Sequence, residues 1–356
     1  MHIPEPIEIY PAIMNEFGTV LDTSPVMVSG VYRSGTTFLA ALLGAHPQFK
    51  ASSSTVKFLR FCLGRYGDVR IPENRRRLVA ETHRRVNVRW GLSIDEEAIL
   101  ARAESYGEVT YARLYDVIMK DMLTDLADGS QRWVEKLAVQ WEDIPDFLDM
   151  FPQGRVIHIF RDPRDVAASY KKMTFEPGFT YLDAAFNFRG ANETLEQLAY
   201  RYAERILVVR AEDVAQNTER AAREICDFLG VPYQASMTDP SQLYAEGEDW
   251  ASNTSYDKPY RSLPDASPRW PQHLSRTEVM FVEMISQPHF ARLGYQSAGY
   301  IPTREEWAEL FDFVSAPLIQ TRFKGWLTLG RGAQGYRTDP YAHEMQIVFP
   351  ERYTQG

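Results

Sequence analysis

The chain has 356 residues, 44% of them hydrophobic and 24% charged, with a formal net charge of −9; this is enough apolar material for a large core, in the proportions of a globular protein. The acidic balance excludes general nucleic-acid binding as the main activity, so any anion site has to be local. No run approaches 18 apolar residues, the opening MHIPEPIEIYPAIM has no basic start, and the two cysteines, Cys62 and Cys226, make no disulfide framework; these features predict a cytoplasmic chain in a reducing setting, with neither a transmembrane segment nor a secretory leader.

In chain order, residues 25–32 (PVMVSGVY) read as a short buried strand running into a glycine, and residues 36–45 (TTFLAALLGA) as an apolar helix ending near His46-Pro47. Residues 72–128 carry helical periodicity. Within them Ser93-Ile-Asp-Glu96 has the capping-box pattern, and a helix over Thr110–Ala127 stops before Gly129. Residues 154–160 (GRVIHIF) read as a second buried strand and 205–209 (RILVV) as a third; Thr218–Leu229 is a helix closed by Gly230 and Pro232. Strands separated by helices predict an α/β fold in three layers, a mainly parallel sheet flanked by helices. Tyr256–Pro271, rich in Pro, Ser, Asp and Arg, is expected to be a long loop. From about residue 300 a helix (Arg304–Val314) precedes aromatic and glycine-rich sequence, expected to be an appendage to one domain spanning 1–356.

Two stretches carry chemistry. Gly30-Val-Tyr-Arg-Ser-Gly-Thr-Thr37 has the spacing of a P-loop between a strand and a helix. Successive backbone N–H groups and the helix N-terminus form an anion nest there, and the hydroxyls of Ser34, Thr36 and Thr37 add donors. Nucleoside triphosphatases place at position 36 a lysine that reaches the β- and γ-phosphates. Here the residue is Thr36, and the cation is Arg33 inside the loop; this, with no clear strand ending in a metal-binding Asp, counts against a P-loop nucleotide kinase. The plainer alternative is a tight turn with incidental hydroxyls. The second stretch is FRDPRDVAASY, Phe160–Tyr170. Arg161 stands at a strand end, Pro163 suits the first turn of a helix, and Ser169 follows two turns on. An arginine fork and a hydroxyl so placed can clasp one phosphate; the alternative is a salt bridge from Arg161 to Asp162 or Asp165.

Arg33-Ser-Gly-Thr-Thr-Phe-Leu39, followed by Leu42-Leu43 and His46-Pro47, resembles the 5′-phosphosulfate loop of sulfotransferases that use 3′-phosphoadenosine-5′-phosphosulfate (PAPS). Phe160–Tyr170 resembles their 3′-phosphate motif. Softer likenesses are Trp133-Val-Glu-Lys136 with Phe151-Pro152, Val209–Asp213 with Cys226–Gly230, and Trp270–Ser275 with Leu293-Gly-Tyr295. The resemblance spans about residues 24–296 and leaves a C-terminal extension of about 300–356. It implies a P-loop-like nucleotide-binding architecture and sulfuryl transfer from PAPS to a hydroxyl or amine acceptor without a metal, releasing 3′-phosphoadenosine-5′-phosphate (PAP). The implied cofactor-binding residues are Arg33, Ser34, Gly35, Thr36, Thr37, Phe38, Arg161 and Ser169, with Arg33 and Lys136 as the catalytic cations. For Phe38, which could stack on adenine, the alternative is a buried core aromatic, and for Lys136 it is a surface lysine paired with Glu135 or Glu142.

The chain also departs from that family. Cytosolic members carry a histidine base two residues after the lysine, where Ala138 stands; tyrosylprotein and heparan-type members carry a glutamate soon after the His-Pro, where this chain has Ala51-Ser-Ser-Ser-Thr-Val-Lys57. His83, Glu104 and Glu108 are the substitute bases to weigh, and Ser53, Ser54 and Thr55 could orient an acceptor. Ala211 replaces a tyrosine that many relatives have near the adenine. A non-catalytic PAP- or PAPS-binding protein is therefore an alternative alongside the kinase. The acceptor class and oligomeric state stay open. Arg75, Arg76, Arg77, Arg84, Arg85 and Arg89 are either a guide for an acidic acceptor or a solvated face. Trp307, Phe311, Phe323 and Trp326 either line a pocket or pack the extension. His158, inside an apolar strand, reads as a satisfied core histidine.

Overall fold

The structure, a computed structural model, describes residues 17–51, 56–123, 131–171, 179–243, 267–317, 319–321, 323–324 and 340–353. Five strands, β1 (Val26–Gly30), β2 (Phe49–Ala51), β3 (Arg132–Ala138), β4 (Arg155–Phe160) and β5 (Ile206–Arg210), form one sheet in the order β2-β3-β1-β4-β5. Every neighbouring pair is parallel, and Gly30 at the end of β1 stands opposite Ala138 on one side and Ile159 on the other. Parallel neighbours need crossovers, and helices supply them. Helix α1 (Thr36–Gly44) joins β1 to β2; α2 (Phe58–Phe61), α3 (Pro72–Trp90), α4 (Glu96–Ser105) and α5 (Tyr111–Leu123) lie between β2 and β3. Helix α6 (Ile144–Met150) precedes β4, and α7 (Pro163–Lys171) and α8 (Asp183–Tyr202) precede β5. After β5 come α9 (Ala211–Gln216), α10 (Thr218–Leu229), α11 (Pro240–Leu243), α12 (Arg276–Ser286), α13 (His289–Arg292), α14 (Arg304–Ser315) and α15 (Pro340–Val348).

Alternate residues of the strands feed two cores. Val26, Val28, Val134, Ile157 and Ile159 pack with α1 and α10 through Leu39, Leu42, Leu43 and Ile225. Met27, Trp133, Leu137, Val156 and Phe160 face the other way into a larger aromatic cluster with α5 and α8. A strand buried on both faces needs this continuous apolarity, and β1 and β4 have it. The sequence shows three strands, and the described residues form five. Strand β2 is only three residues long, and β3 carries Glu135 and Lys136 in its middle, which breaks the apolar run although both side chains are buried.

The helical insertion follows the predicted periodicity, with one correction. The Ser93-to-Glu96 capping box does not form: Asp95 is the N-cap of α4 and accepts from Ala98 N at 2.9 Å, while Ser93 Oγ meets His83 Nε2 at 3.3 Å. Asp95 is the shorter anionic cap, and Glu96 turns away to His83 Nδ1 at 2.6 Å. The helix read over Thr110–Ala127 is α5, which ends at Leu123; Thr124–Ala127 and Gly129 lie outside the described residues. Most of the loop expected over Tyr256–Pro271 also lies outside them, and Trp270–Gln272 form a single 3-10 turn. Among the described residues no helix is long and apolar enough to cross a membrane.

Four of the six arginines in the α3 row are paired with carboxylates: Arg75 with Glu104, Arg77 with Glu81, Arg84 with Glu351 and Arg89 with Glu344, whereas Arg85 is buried over Phe61. Two of those partners come from the C-terminal segment, so the row docks α15 and the turn after it. Of the late aromatics, Phe323 packs edge-on against Phe186 at 5.3 Å, Trp307 and Phe311 are exposed, and Trp326 lies outside the described residues.

Candidate functional site

The loop after β1 is shaped by two left-handed residues. Arg33 has φ 69 and Gly35, the N-cap of α1, has φ 100. Gly30 is required by space rather than by dihedral angle, since a Cβ there would lie 2.7 Å from the Ile159 carbonyl oxygen and 2.8 Å from Ser34 Oγ. Ser34 is fully buried and closes the turn on Val31, its N–H at 3.2 Å and its hydroxyl at 2.5 Å from the Val31 carbonyl. Gly35 offers no side-chain cap, so the first N–H groups of α1 keep their donors for what lies at the loop mouth. This mouth is at the carboxyl end of the central strand β1, between its sheet neighbours β3 and β4, the usual ligand position in open α/β sheets.

The second motif folds onto the loop. Pro163 opens α7, and Ser169 lies near its end. Arg161 donates through Nη1 to the Arg33 carbonyl at 3.1 Å, and Arg33 Nε donates to Ser169 Oγ at 3.1 Å. Three residues read from two motifs about 130 residues apart thus meet. Of the two carboxylates weighed for Arg161, Asp165 stands at 3.5 Å and Asp162 is taken by Arg164 at 2.6 Å. Asp165 also accepts the backbone N–H groups of Arg269 and Trp270. Arg161, Arg33 and Ser169 remain half-buried at the mouth.

Lys136 comes from β3. Its Nζ donates to Thr37 Oγ1 at 3.3 Å, and its side chain is buried. Burial pushes its ammonium down to about 7, with Lys57 and then Arg33 adding repulsion. It is not paired with Glu135, which leaves the strand on the opposite face and accepts from the Tyr115 hydroxyl and from Lys57 N. Phe38 is half-buried against the α1-side core. Ala211 lies beside the loop, its Cβ 3.8 Å from where a Gly35 Cβ would stand.

The alternative bases are held elsewhere. His83 pairs with Glu96, Glu104 with Arg75 at 2.5 Å and Glu108 with Arg70 at 3.5 Å. Ser53, Ser54 and Thr55 lie outside the described residues. His158 is fully buried and pushed down to about 3 by burial; its Nδ1 meets Ser29 Oγ at 3.1 Å, and its Nε2 has no partner among the described residues, so it is half satisfied rather than wholly so. Among the described residues no group of three or more His, Cys, Asp or Glu is placed to hold a metal ion.

A family model for the sulfotransferase family matches residues 25–235, more than half of the chain. The chain belongs to the sulfotransferase family. The matched span begins just before β1 and ends after α10, so it contains the loop, Lys136, Arg161 and Ser169. Among curated proteins, protein-tyrosine sulfotransferase 1 of Danio rerio is 23% identical over 287 residues, 77% of this chain and 73% of the relative. Protein-tyrosine sulfotransferase A of Caenorhabditis elegans is 24% identical over 284 residues, 77% of this chain and 68% of that protein. Among solved structures, the sulfotransferase domain from the curacin biosynthetic pathway aligns with a TM-score of 0.50 at 17% identity, covering 77% of this chain and 98% of that domain; it shows the same fold. One residue near Lys136 carried no sequence signal. Lys57, just before α2, is an electrostatic neighbour of Lys136, and only the turn that carries it there makes it visible.

Proposed function

We propose that the chain transfers a sulfuryl group from PAPS to a hydroxyl or amine acceptor and releases PAP. The observation that carries the reading is the convergence of Arg33, Arg161 and Ser169 around a loop whose helix N–H groups face the same mouth, with Lys136 against Thr37. The residues present fit the donor. The loop is packed so closely that Gly30 has no room for a Cβ, which lets backbone N–H groups approach a 5′-phosphate. Arg161 and Ser169 would hold the 3′-phosphate. When bound, PAPS supplies a sulfuryl group on a phosphate leaving group. Arg33 and Lys136 would donate to the oxygens on which negative charge grows, and losing one such preorganised donor typically costs about 3–4 kcal/mol of barrier. Position 36, where a kinase would carry lysine, is the buried Thr36. The tyrosine in the names of the two animal relatives makes a phenolic hydroxyl the first acceptor to test.

The test is thermal unfolding with PAP, with and without a chelator, beside ATP with magnesium. A ligand at 100 times its Kd adds about 2.7 kcal/mol of stability. The expected result is stabilisation by PAP that survives the chelator. Stabilisation by magnesium-ATP alone would overturn the donor assignment.

A further inference from the structure

We propose that Lys57 is a third cation of the transfer site, an ammonium that holds the sulfuryl group of the donor. The inference rests on the reading that the loop binds PAPS. Lys57 stands in the left-handed region, with φ 49 and ψ 48. That conformation costs an L residue about 1–2 kcal/mol, so the surroundings have to impose it. They do: the Lys57 N–H donates to Glu135 Oε1 at 2.7 Å, that carboxylate also accepts from the buried Tyr115 hydroxyl, and Val56 and Phe58 on either side are sunk in the large core. Glu135 and Lys136 are consecutive on β3 and leave it on opposite faces. The strand that presents Lys136 therefore also fixes the turn that presents Lys57.

The Lys57 side chain is half-buried, with Tyr32, Arg60, Glu344 and Arg85 as its charged or titratable neighbours, and Lys136 feels both Lys57 and Arg33. Two cations, Arg33 from the loop and Lys57 from the start of α2, thus act on Lys136 of β3. Like charges in a poorly solvated site repel, and an anion among them turns that repulsion into binding. The sheet order shows which part of the donor this would be. Arg161 and Ser169 follow β4 and lie on one side of β1, whereas Lys136 and Lys57 come from β3 and from the segment before it, on the other side. With the 3′-phosphate on the β4 side and the 5′-phosphate in the loop, the group beyond the 5′-phosphate extends toward Lys136 and Lys57. That group is the sulfuryl.

The test compares the affinities of PAPS and PAP, which differ by the sulfuryl group alone, without acceptor and without turnover. Isothermal titration is run on the wild-type full chain, Lys57→Asn and Lys57→Arg. Asparagine tolerates the left-handed backbone and removes the charge; arginine keeps the charge. The expected result is that Lys57→Asn weakens PAPS about tenfold or more, the size of one charge-assisted hydrogen bond, while PAP changes little and Lys57→Arg recovers most of the loss. Lys57→Gly, which also suits the backbone, repeats the test if the asparagine variant does not fold. Equal weakening of both nucleotides, or no weakening of either, overturns the role of Lys57 and leaves the donor assignment standing. A wild-type chain that binds neither nucleotide overturns the donor assignment, and the role of Lys57 with it.

Discussion

Lys136 is a buried lysine whose ammonium is pushed down to about 7, first by burial and then by Lys57 and Arg33. At neutral pH it is only partly charged, and an arriving anion favours the charged form. The sign follows from the proposed donor: PAP bound at the loop should raise the Lys136 pKa, so above pH 7 its complex should take up a proton. Calorimetry of PAP binding at pH 8 in two buffers of different ionisation enthalpy should show an uptake approaching about one proton. Below about pH 6 the uptake should vanish, because Lys136 is already protonated. Lys136→Met should abolish the uptake at pH 8; uptake that persists in this variant would place the titrating group elsewhere. In the free protein the folded-state pKa lies below the unfolded value of 10.5. The unfolded chain then binds more protons between about pH 7 and 10.5, and the Lys136 contribution to stability rises with pH across that window.

Among the elements, α15 is attached differently from the rest. Its apolar residues Met345 and Val348, with Phe349 after it, form a small cluster that Tyr341 joins to the large core, and its polar links to α3 are ion pairs. Arg84 donates to both oxygens of Glu351 at 2.7 and 2.9 Å, Arg352 meets Glu81 at 2.7 Å, and Arg89 meets Glu344 at 3.6 Å. Arg84 and Glu351 are both exposed, and such pairs are weak and weaken further in salt. Hydrogen exchange over 340–353 should therefore quicken in 0.5 M salt and in Arg84→Ala while exchange in β1 stays unchanged. Salt-independent exchange would show that the segment is held by apolar contact instead. None of these pairs was legible in the sequence, since Arg84 and Glu351 are 267 residues apart and ion pairing leaves no periodic trace. β1, α1, β4 and α10 were legible because burial on both faces, or on one helical stripe, demands a repeating apolar pattern. β3 was hidden by the two charged residues at its centre, and those residues carry Lys136 to the site and fix the turn of Lys57. The loop and the Arg161–Ser169 motif could be read from their spacing. Their meeting needed the fold, because Arg33 reaches Ser169 only when β4 lies beside β1.

Across the molecule, one buried guanidinium ties the β4 side of the sheet to the chain that follows it. Arg164, in the first turn of α7, donates to both oxygens of Asp162, to Glu283 Oε1 of α12 at 2.7 Å and to the Gln296 carbonyl at 3.0 Å. It also stacks on Trp270 at 4.3 Å and on Phe290 at 4.8 Å. Segments from β4 to residue 296 thus share one cation, and with Asp165 holding the N–H groups of Arg269 and Trp270 they frame the turn that carries Arg161. Asp162 and Glu283 are themselves buried. Removing the cation leaves two carboxylates uncompensated in a poorly solvated place, and breaking a buried network in this way typically costs about 3–5 kcal/mol. Arg164→Met should show a loss of that order in urea unfolding. Arg164→Lys should recover only part of it, since a single ammonium cannot serve Asp162, Glu283 and the Gln296 carbonyl with the geometry of a planar fork. A loss below about 1 kcal/mol, the range of an exposed ion pair, would mean that the region after α11 is held by packing of α12 on α7 and α8, and that Arg164 only orders the polar groups around it.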